Sequence, residues 1–521
     1  MLSEFQVDLL AAAGLGAFSV TPWGKKVWKA LSTSDRDRRI EAAYNFNPPN
    51  EQGSASFATE KLCKKAGLLG SKGIPIAALN GRTLRYDADA MLITVAPVGS
   101  GKGTSQIIPA ILSLDDRSLV VFDPKGENVA VTGHYRKRLG PVYVLNPYEI
   151  LMPYLKGLKM ARFNPMARLI DPKEPPLRFG PLAAKLANSI VWHETQNSET
   201  EHFSASAEQL LQGLIMAVAR HSPAKDKTLV RVAEIVSTGE TFGFSSKMMK
   251  TSPDVFIRQK LGRFAAPGAD ESKELNGINS TAVTQGGFLG DVGIANCISG
   301  SDFRFSDLRE QVCTVYVVLP LDFLEVAGKF FRLIVSSALG DLLQPGRGKK
   351  RVLLIMDEFF QYGALSAVEN AFGMARGFGV QLWPILQDLS QLEGRYPRTF
   401  ETFLSNAGVR TFMTPQDEKT AKYVSEQAGI TSVFSYSHNV SIDRRTKEPQ
   451  AGHGTSVVTR PLIHPHEARE LPQDKMYVWV RGVDGVIKAE KRAYFNSREF
   501  AGKYRPNPYF KEKGFFKKLL G

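Results

Sequence analysis

The chain has 521 residues, a formal net charge of +14, an apolar fraction of 43% and a charged fraction of 23%. This composition is that of a globular protein and excludes disorder, collagen and a disulfide-stapled miniprotein. Three widely spaced cysteines, Cys63, Cys297 and Cys313, form no zinc pattern and point to a reducing compartment.

The length suits two to four domains. The basic excess favours a polyanionic partner, although a solvated basic surface accounts for it equally well. From residue 1 to 85 the pattern is mixed. Its most apolar stretch, Leu9 to Val20, is twelve residues long, short of the roughly 20 a spanning helix needs. The start MLSEFQVD is not that of a signal peptide. The reading is therefore a cytoplasmic chain without a transmembrane helix.

From residue 86 to 170 the grammar is strand, loop, helix, strand. Met91 to Val95 is a short apolar run leading into a glycine-rich loop, and a helix follows over Thr104 to Leu114, with a kink expected at Pro109. Leu119 to Phe122 and Val142 to Leu145 are further buried-strand runs. Such alternation specifies a parallel α/β sheet.

From 171 to 300 the strand signal is absent. Ala207, Leu210, Leu211, Leu214, Ile215 and Val218 form one helical stripe, and Leu229 to Val236 and Phe256 to Phe264 also read as helices. This block is an all-alpha insertion. Trp192, His193 and Glu194 lie in it without any supporting constellation. From 301 to 497 strands return at Thr314 to Leu319, Val352 to Met356 and Gln381 to Leu386, and residues 436 to 456 read as a polar hairpin. The tail from 498 to 521 carries seven Lys or Arg against two Glu, with Tyr504, Tyr509, Phe510, Phe515 and Phe516 among them.

Two segments carry chemistry. Pro97, Val98, Gly99, Ser100, Gly101, Lys102, Gly103 and Thr104 follow a strand and open a helix, which is the context of a Walker A loop. Glycines let successive N–H groups face phosphate oxygens, and Lys102 reaches the β- and γ-phosphates as a point charge. Two positions depart from the template. Ala96 replaces the first glycine, and Gly103 stands where a Ser or Thr normally holds Mg²⁺, a role Thr104 or water could take. The alternative is a glycine-rich turn without nucleotide.

The second segment is Val352 to Met356, ending in Asp357 and Glu358, a Walker B arrangement. Asp357 would hold Mg²⁺ and Glu358 would polarise the attacking water. Gln387, at the end of the next strand, either senses the γ-phosphate or caps the strand. Arg376 is either an arginine finger for a neighbouring subunit or a surface arginine before Gly377. His464 and His466 lack further ligand-spaced partners.

Taken together, APVGSGKGTSQIIP at 96 to 109, VFDPKGEN at 121 to 128, FNPM at 163 to 166 and LLIMDEFFQYGAL at 353 to 365 resemble the conjugative coupling proteins of type IV secretion, the TraG/TraD-type DNA transport ATPases. The resemblance continues through ARGFGV at 375 to 380, LQDLSQLEGRYP at 386 to 397, FLSNAGVR at 403 to 410, RPLIHPHEARELP at 460 to 472 and AYF at 493 to 495. It implies a RecA-like P-loop nucleotide-binding domain with an inserted all-alpha domain, and ATP and Mg²⁺ as cofactors. Lys102 then resembles the phosphate lysine, Asp357 the Mg²⁺ aspartate and Glu358 the catalytic glutamate. Arg376 resembles the trans-acting arginine and Gln387 the sensing glutamine. Asp123, Lys125 and Glu127 sit in a family motif to which no chemistry is assigned.

The implied partners are DNA (single-stranded, or double-stranded without sequence preference), relaxase or effector proteins, and the secretion channel. A homo-hexamer is implied when assembled, with a monomer as the state in isolation. Family members typically carry two N-terminal transmembrane helices, so the expectation here is a soluble variant, cytoplasmic and peripheral at the inner membrane through partners. The alternative to an ATP-driven pump is a nucleotide-dependent docking receptor for secretion substrates.

Overall fold

A computed structural model describes residues 53–192, 198–345, 348–442 and 449–509. The described residues divide into two compact units, one of 53–57 and 421–468, the other of 58–420 and 469–509.

The second unit is built on one sheet of twelve strands among the described residues. In chain order these are β1 (Ile74–Leu79), β2 (Arg82–Tyr86), β3 (Met91–Val95), β4 (Ser118–Asp123), β5 (Val142–Leu145), β6 (Lys159–Met160), β7 (Thr314–Val318), β8 (Val352–Met356), β9 (Val380–Leu386) and β10 (Ala407–Phe412). Two long strands of the other unit, β11 (Ile430–Ile442) and β12 (Pro449–Pro461), come next in the chain, and β13 (Lys475–Val480) and β14 (Ile487–Glu490) complete the sheet. The spatial order is β2-β1-β14-β13-β10-β3-β9-β8-β4-β7-β5-β6.

From β10 to β6 every pairing is parallel. Strands β3, β4, β7, β8 and β9 are buried along their whole length, as strands covered on both faces must be. The apolar runs at 91–95, 142–145 and 352–356 coincide with observed strands to the residue. The other flank, β2-β1-β14-β13, is antiparallel, and β1 and all of β2 but Tyr86 come from residues 1 to 85. Buried polar side chains stitch this flank to the parallel part. Gln106 donates to the Ile76 carbonyl at 2.8 Å and accepts from Thr94 Oγ1 at 3.1 Å. Trp383 Nε1 donates to the same Thr94 oxygen at 3.0 Å.

Helix interrupts the sheet between β6 and β7, as the periodicity predicts. The central helix, Ser198–His221, buries all six residues of its stripe from Ala207 to Val218. Helices Leu229–Ser237, Val255–Leu261, Lys273–Gly286 and Val292–Ile298 begin at Thr228, Asp254, Ser272 and Asp291, whose side chains accept N–H bonds from the first turn. Close approach uses glycine. A Cβ at Gly277 would lie 2.8 Å from the Phe203 ring, and one at Gly213 2.7 Å from Leu261.

In the first unit β11 and β12 form an antiparallel ribbon, the hairpin expected around 436 to 456, with His438 opposite His453. At the end of β12 Arg460 forks onto Glu467 at 2.7 and 2.9 Å. Leu9 to Val20, His193, Glu194, Phe510, Phe515 and Phe516 lie outside the described residues. Among the described residues no helix is long and apolar enough to cross a membrane.

Candidate functional site

Ligands of open parallel sheets bind outside the carboxyl ends of the strands. Here β3, β9 and β8 are adjacent, so the residues leaving their ends converge although they are far apart in sequence. β3 feeds the loop 96–104, β8 feeds Asp357 and Glu358, and β9 feeds Gln387.

The loop is shaped by two left-handed glycines, Gly99 at φ 77° and Gly101 at φ 82°. Both conformations are open to glycine at little cost. Val98 stands at the loop's exposed tip, and Ser100 is buried with its hydroxyl unpartnered. The Ser100 N–H donates to the Pro97 carbonyl at 3.2 Å. Helix then starts irregularly. Gly103–Ile107 is a π-turn, and α-helix runs only over Ile108–Ser113, with Pro109 in its first turn. Pro109 has no N–H to donate back to Ser105, so the chain takes a wider turn before it in place of the expected kink at Pro109 itself. Thr104 Oγ1 donates to the Gly101 carbonyl at 3.1 Å, and Ser105 Oγ to the same oxygen at 2.7 Å.

Lys102 Nζ lies 2.6 Å from Glu358 Oε1 and 3.3 Å from Asp357 Oδ1. Gln387 Nε2 donates to the other Glu358 oxygen at 3.0 Å. Burial opposes charge on Lys102, but the two carboxylates outweigh it and hold the ammonium above its ordinary range. Burial raises Asp357, and the neighbouring Glu358 charge adds to this against the pull of Lys102. Burial also works against Glu358, yet Lys102, the Gln387 amide and the charge of Lys125 leave it below the usual carboxylate range. Glu358 sits at φ 54°, a left-handed conformation strained for this residue. The turn after it, Phe359–Tyr362, is tied back by the Tyr362 hydroxyl, which donates to the Asp357 carbonyl.

A third carboxyl belongs to this neighbourhood. Asp123, at the end of β4, is buried and pushed up to about 7, chiefly by burial and further by Glu127 and Asp357. It accepts from the Val129 N–H at 2.9 Å and Asn128 Nδ2 at 3.3 Å, so its motif closes the first turn of helix Glu127–Leu139. Lys491 was not singled out from the sequence. Its Nζ donates to the Ser100 carbonyl at 2.9 Å, supporting the loop from the end of β14. Lys–Arg doublets are too common for any sequence signal to have marked it.

Arg376 is elsewhere. It is exposed on the 3₁₀ turn Ala375–Phe378, before β9, whereas Gln387 follows β9. A seven-residue strand spans roughly 20 Å. Arg376 therefore takes no part in the cluster of Lys102, Asp357, Glu358 and Gln387 in the same chain.

The family model described as "Type IV secretory system Conjugative DNA transfer" matches residues 49–514. The chain is 26% identical over 428 residues to the type IV secretion system-coupling protein VirD4 of Bartonella quintana (strain Toulouse), covering 80% of this chain and 65% of that protein. It is 27% identical over 402 residues to the conjugal transfer protein TraG of Agrobacterium fabrum (strain C58), covering 75% and 58%. The chain thus spans less than two thirds of the length of these relatives. Among solved structures, the bacterial conjugative coupling protein TrwBdeltaN70 superimposes with a TM-score of 0.62 at 17% identity, covering 84% of this chain and 92% of that one. TrwB in complex with ADP and Mg²⁺ gives 0.60 at 16% identity, covering 84% and 94%. The fold is that of these proteins, a RecA-like P-loop domain carrying a helical domain.

Proposed function

We infer a coupling ATPase from the premise that this chain belongs to the type IV secretory system conjugative DNA transfer family. The observation that carries the reading is the chain of contacts Lys102–Glu358–Gln387 at the ends of three adjacent strands. A nucleophile-orienting carboxylate is thereby held between a phosphate-binding lysine and an amide that can sense the phosphate.

In this proposal the loop N–H groups from Gly99 to Thr104 bind the phosphates of ATP, and Lys102 exchanges its carboxylate partners for the β- and γ-phosphates. Glu358, freed from Lys102 and kept ionised, orients and deprotonates the attacking water. Gln387 couples its position to the γ-phosphate. Mg²⁺ would be held by the Asp357 carboxylate, which lies 3.3 Å from Lys102 Nζ, with the Thr104 hydroxyl or water completing its shell. No cluster of three or more acidic, His or Cys ligands exists among the described residues, which suits an ion held chiefly through phosphates and water. Bound Mg²⁺ supplies neutralisation of phosphate charge. Arg376 reaches a neighbouring subunit's nucleotide in a ring, a hexamer when assembled.

The work done is delivery of DNA, bound to a relaxase, or of effector proteins to a secretion channel, from the cytoplasmic face and peripheral to the inner membrane through partners. TrwB in complex with ADP and Mg²⁺, and the VirD4 and TraG relatives, support the assignment. The test is ATP turnover with and without single-stranded DNA. Stimulation by DNA that Lys102→Ala abolishes is the expected result. Tight nucleotide binding without turnover would replace the motor by a docking receptor.

A further inference from the structure

A cavity of about 410 Å³ is lined in part by the turn that follows Glu358. Its size falls within the roughly 300–1,000 Å³ of ordinary ligand pockets. Trp192, Lys329, Arg332, Gln361 and Arg395 line it, together with the glycines Gly328 and Gly363.

The charge is one-sided. Among the described residues Lys329, Arg332 and Arg395 line the cavity and no carboxylate does. Arg332 is buried and donates to the Ser189 and Ile190 carbonyls at 2.9 and 2.6 Å. Among the described residues neither Arg332 nor Arg395 has an acidic partner, and the Nε of Arg395 is buried without any hydrogen-bond partner. Burial without a counter-charge lowers Arg332 to about 10. Buried cations are normally paired, because removing one from water unpaired costs several kcal/mol. The missing counter-charge is what a bound anion would supply.

The aromatic character is equally one-sided. The Trp192 ring lies 5.3 Å from the Arg332 guanidinium and 5.9 Å from that of Arg395, and Arg395 also covers Phe360 at 4.5 Å. Guanidinium groups beside an indole recur where proteins hold single-stranded nucleic acid, since phosphate and base are met together. The walls are close to the Walker B turn. A Cβ at Gly363, which sits at φ 72°, would overlap the Trp192 ring, and one at Gly328 would come within 2.8 Å of the Gln361 carbonyl oxygen. The helical block holds the rim. The backbone N–H of Trp192 donates to Gln285 Oε1 at 3.2 Å and Lys329 Nζ to the Thr284 carbonyl at 3.3 Å.

We propose that this cavity holds a phosphate of single-stranded DNA between Arg332 and Arg395, with Trp192 as its aromatic wall and Lys329 at its mouth. The preference for an anion follows from the cavity alone. The choice of a DNA strand rests on the functional reading above. Occupancy bears on the turn Phe359–Tyr362 and so on Glu358.

The test uses the full chain and a labelled oligodeoxythymidylate, with inorganic phosphate and ATP as competing probes. Arg395→Gln and Lys329→Glu are each expected to weaken oligonucleotide binding roughly tenfold, the size of one lost phosphate contact. The slope of log affinity against log salt should fall by about one in each. In the wild type the strand should quench indole fluorescence, and Trp192→Phe should remove that quench. Circular dichroism reports folding, and Lys329→Glu, at the mouth, keeps the test valid if Arg395→Gln fails to fold. Wild-type affinity and slope in both variants would overturn the proposal and leave the motor reading intact. Loss of ATP or phosphate binding alone, with the oligonucleotide unaffected, would assign the cavity to a free anion and also overturn it. A wild-type chain that binds no DNA would remove the motor reading together with this proposal.

Discussion

Gln387 donates its side-chain amide to Glu358 across 3.0 Å, although 28 residues and a full crossover separate the two in the chain. The contact exists because β9 lies between β3 and β8, so the residue leaving β9 stands between the glycine-rich loop 96–104 and the acidic strand end. Glu358 is thereby held on both oxygens, by Lys102 and by Gln387.

Removing the charge of Glu358 should separate binding from chemistry. Glu358→Gln keeps the shape and the Gln387 neighbour but cannot take a proton from water. ATP turnover should fall roughly 10²- to 10⁴-fold, while titration with a non-hydrolysable analogue still reports binding. A variant with wild-type turnover would exclude Glu358 as the general base.

Gly103 is a departure from the Walker template with no steric cause. A Cβ there meets nothing within 4 Å, and its φ is not left-handed. Gly103→Ser should therefore fold normally and gain about 0.5 kcal/mol from helix propensity. Gly101→Ala, forced to φ 82°, should lose about 1 kcal/mol or more and misalign the loop N–H groups. Chemical denaturation of the two variants side by side distinguishes these signs.

Asp123 makes stability depend on pH. Its folded value of about 7 lies above the unfolded value of 3.8, so between these the folded state holds the extra proton. Stability should fall as pH rises through this window and level off above it, by on the order of 4 kcal/mol in total. Asp123→Asn carries no such proton. The difference in unfolding free energy between variant and wild type should grow from pH 4 to pH 8. A constant offset would show that Asp123 does not titrate in this range.

Gly363 and Trp192 should be energetically coupled. Gly363→Ala adds left-handed strain and an overlap with the ring, together costing about 2–4 kcal/mol. In Trp192→Ala the overlap is gone, so the same substitution should cost only about 1 kcal/mol for its backbone. A double-mutant cycle by denaturant unfolding reads the difference directly, and additive effects would mean the two residues do not pack as described.

Arg376 offers a test of assembly. Arg376→Ala and Lys102→Ala should each be inactive as pure proteins. Mixed, they should regain part of the ATP turnover, because one subunit brings the intact loop and its neighbour the intact arginine. Absence of recovery in mixtures that do assemble would return Arg376 to a surface role.

The strands that carry the site were legible because each is a buried apolar run bounded by turn residues. Val352 to Met356, ending in Asp357, needed no tertiary information to be read. The antiparallel flank was not legible. β1 contains Pro75, β2 carries two arginines among five residues, and β14 alternates Lys and Glu with apolar residues, so none gives a buried-strand signal. Their burial comes from neighbours distant in the chain, including Gln106 beneath Ile76.

What the chain's own order of residues determined was the inventory: a lysine loop, an acidic strand end, a polar residue after the next strand, and a helical block between. Local periodicity and backbone chemistry suffice for that, because each is decided within a few residues. Only the tertiary structure decided which of them meet. The strand order put Gln387 on Glu358 and left Arg376 at the opposite end of β9. It also gave Trp192, an isolated aromatic in sequence, two guanidinium neighbours from helices more than a hundred residues away. Sheet order and helix docking are set by how whole apolar faces are buried together, and no short window of sequence contains that.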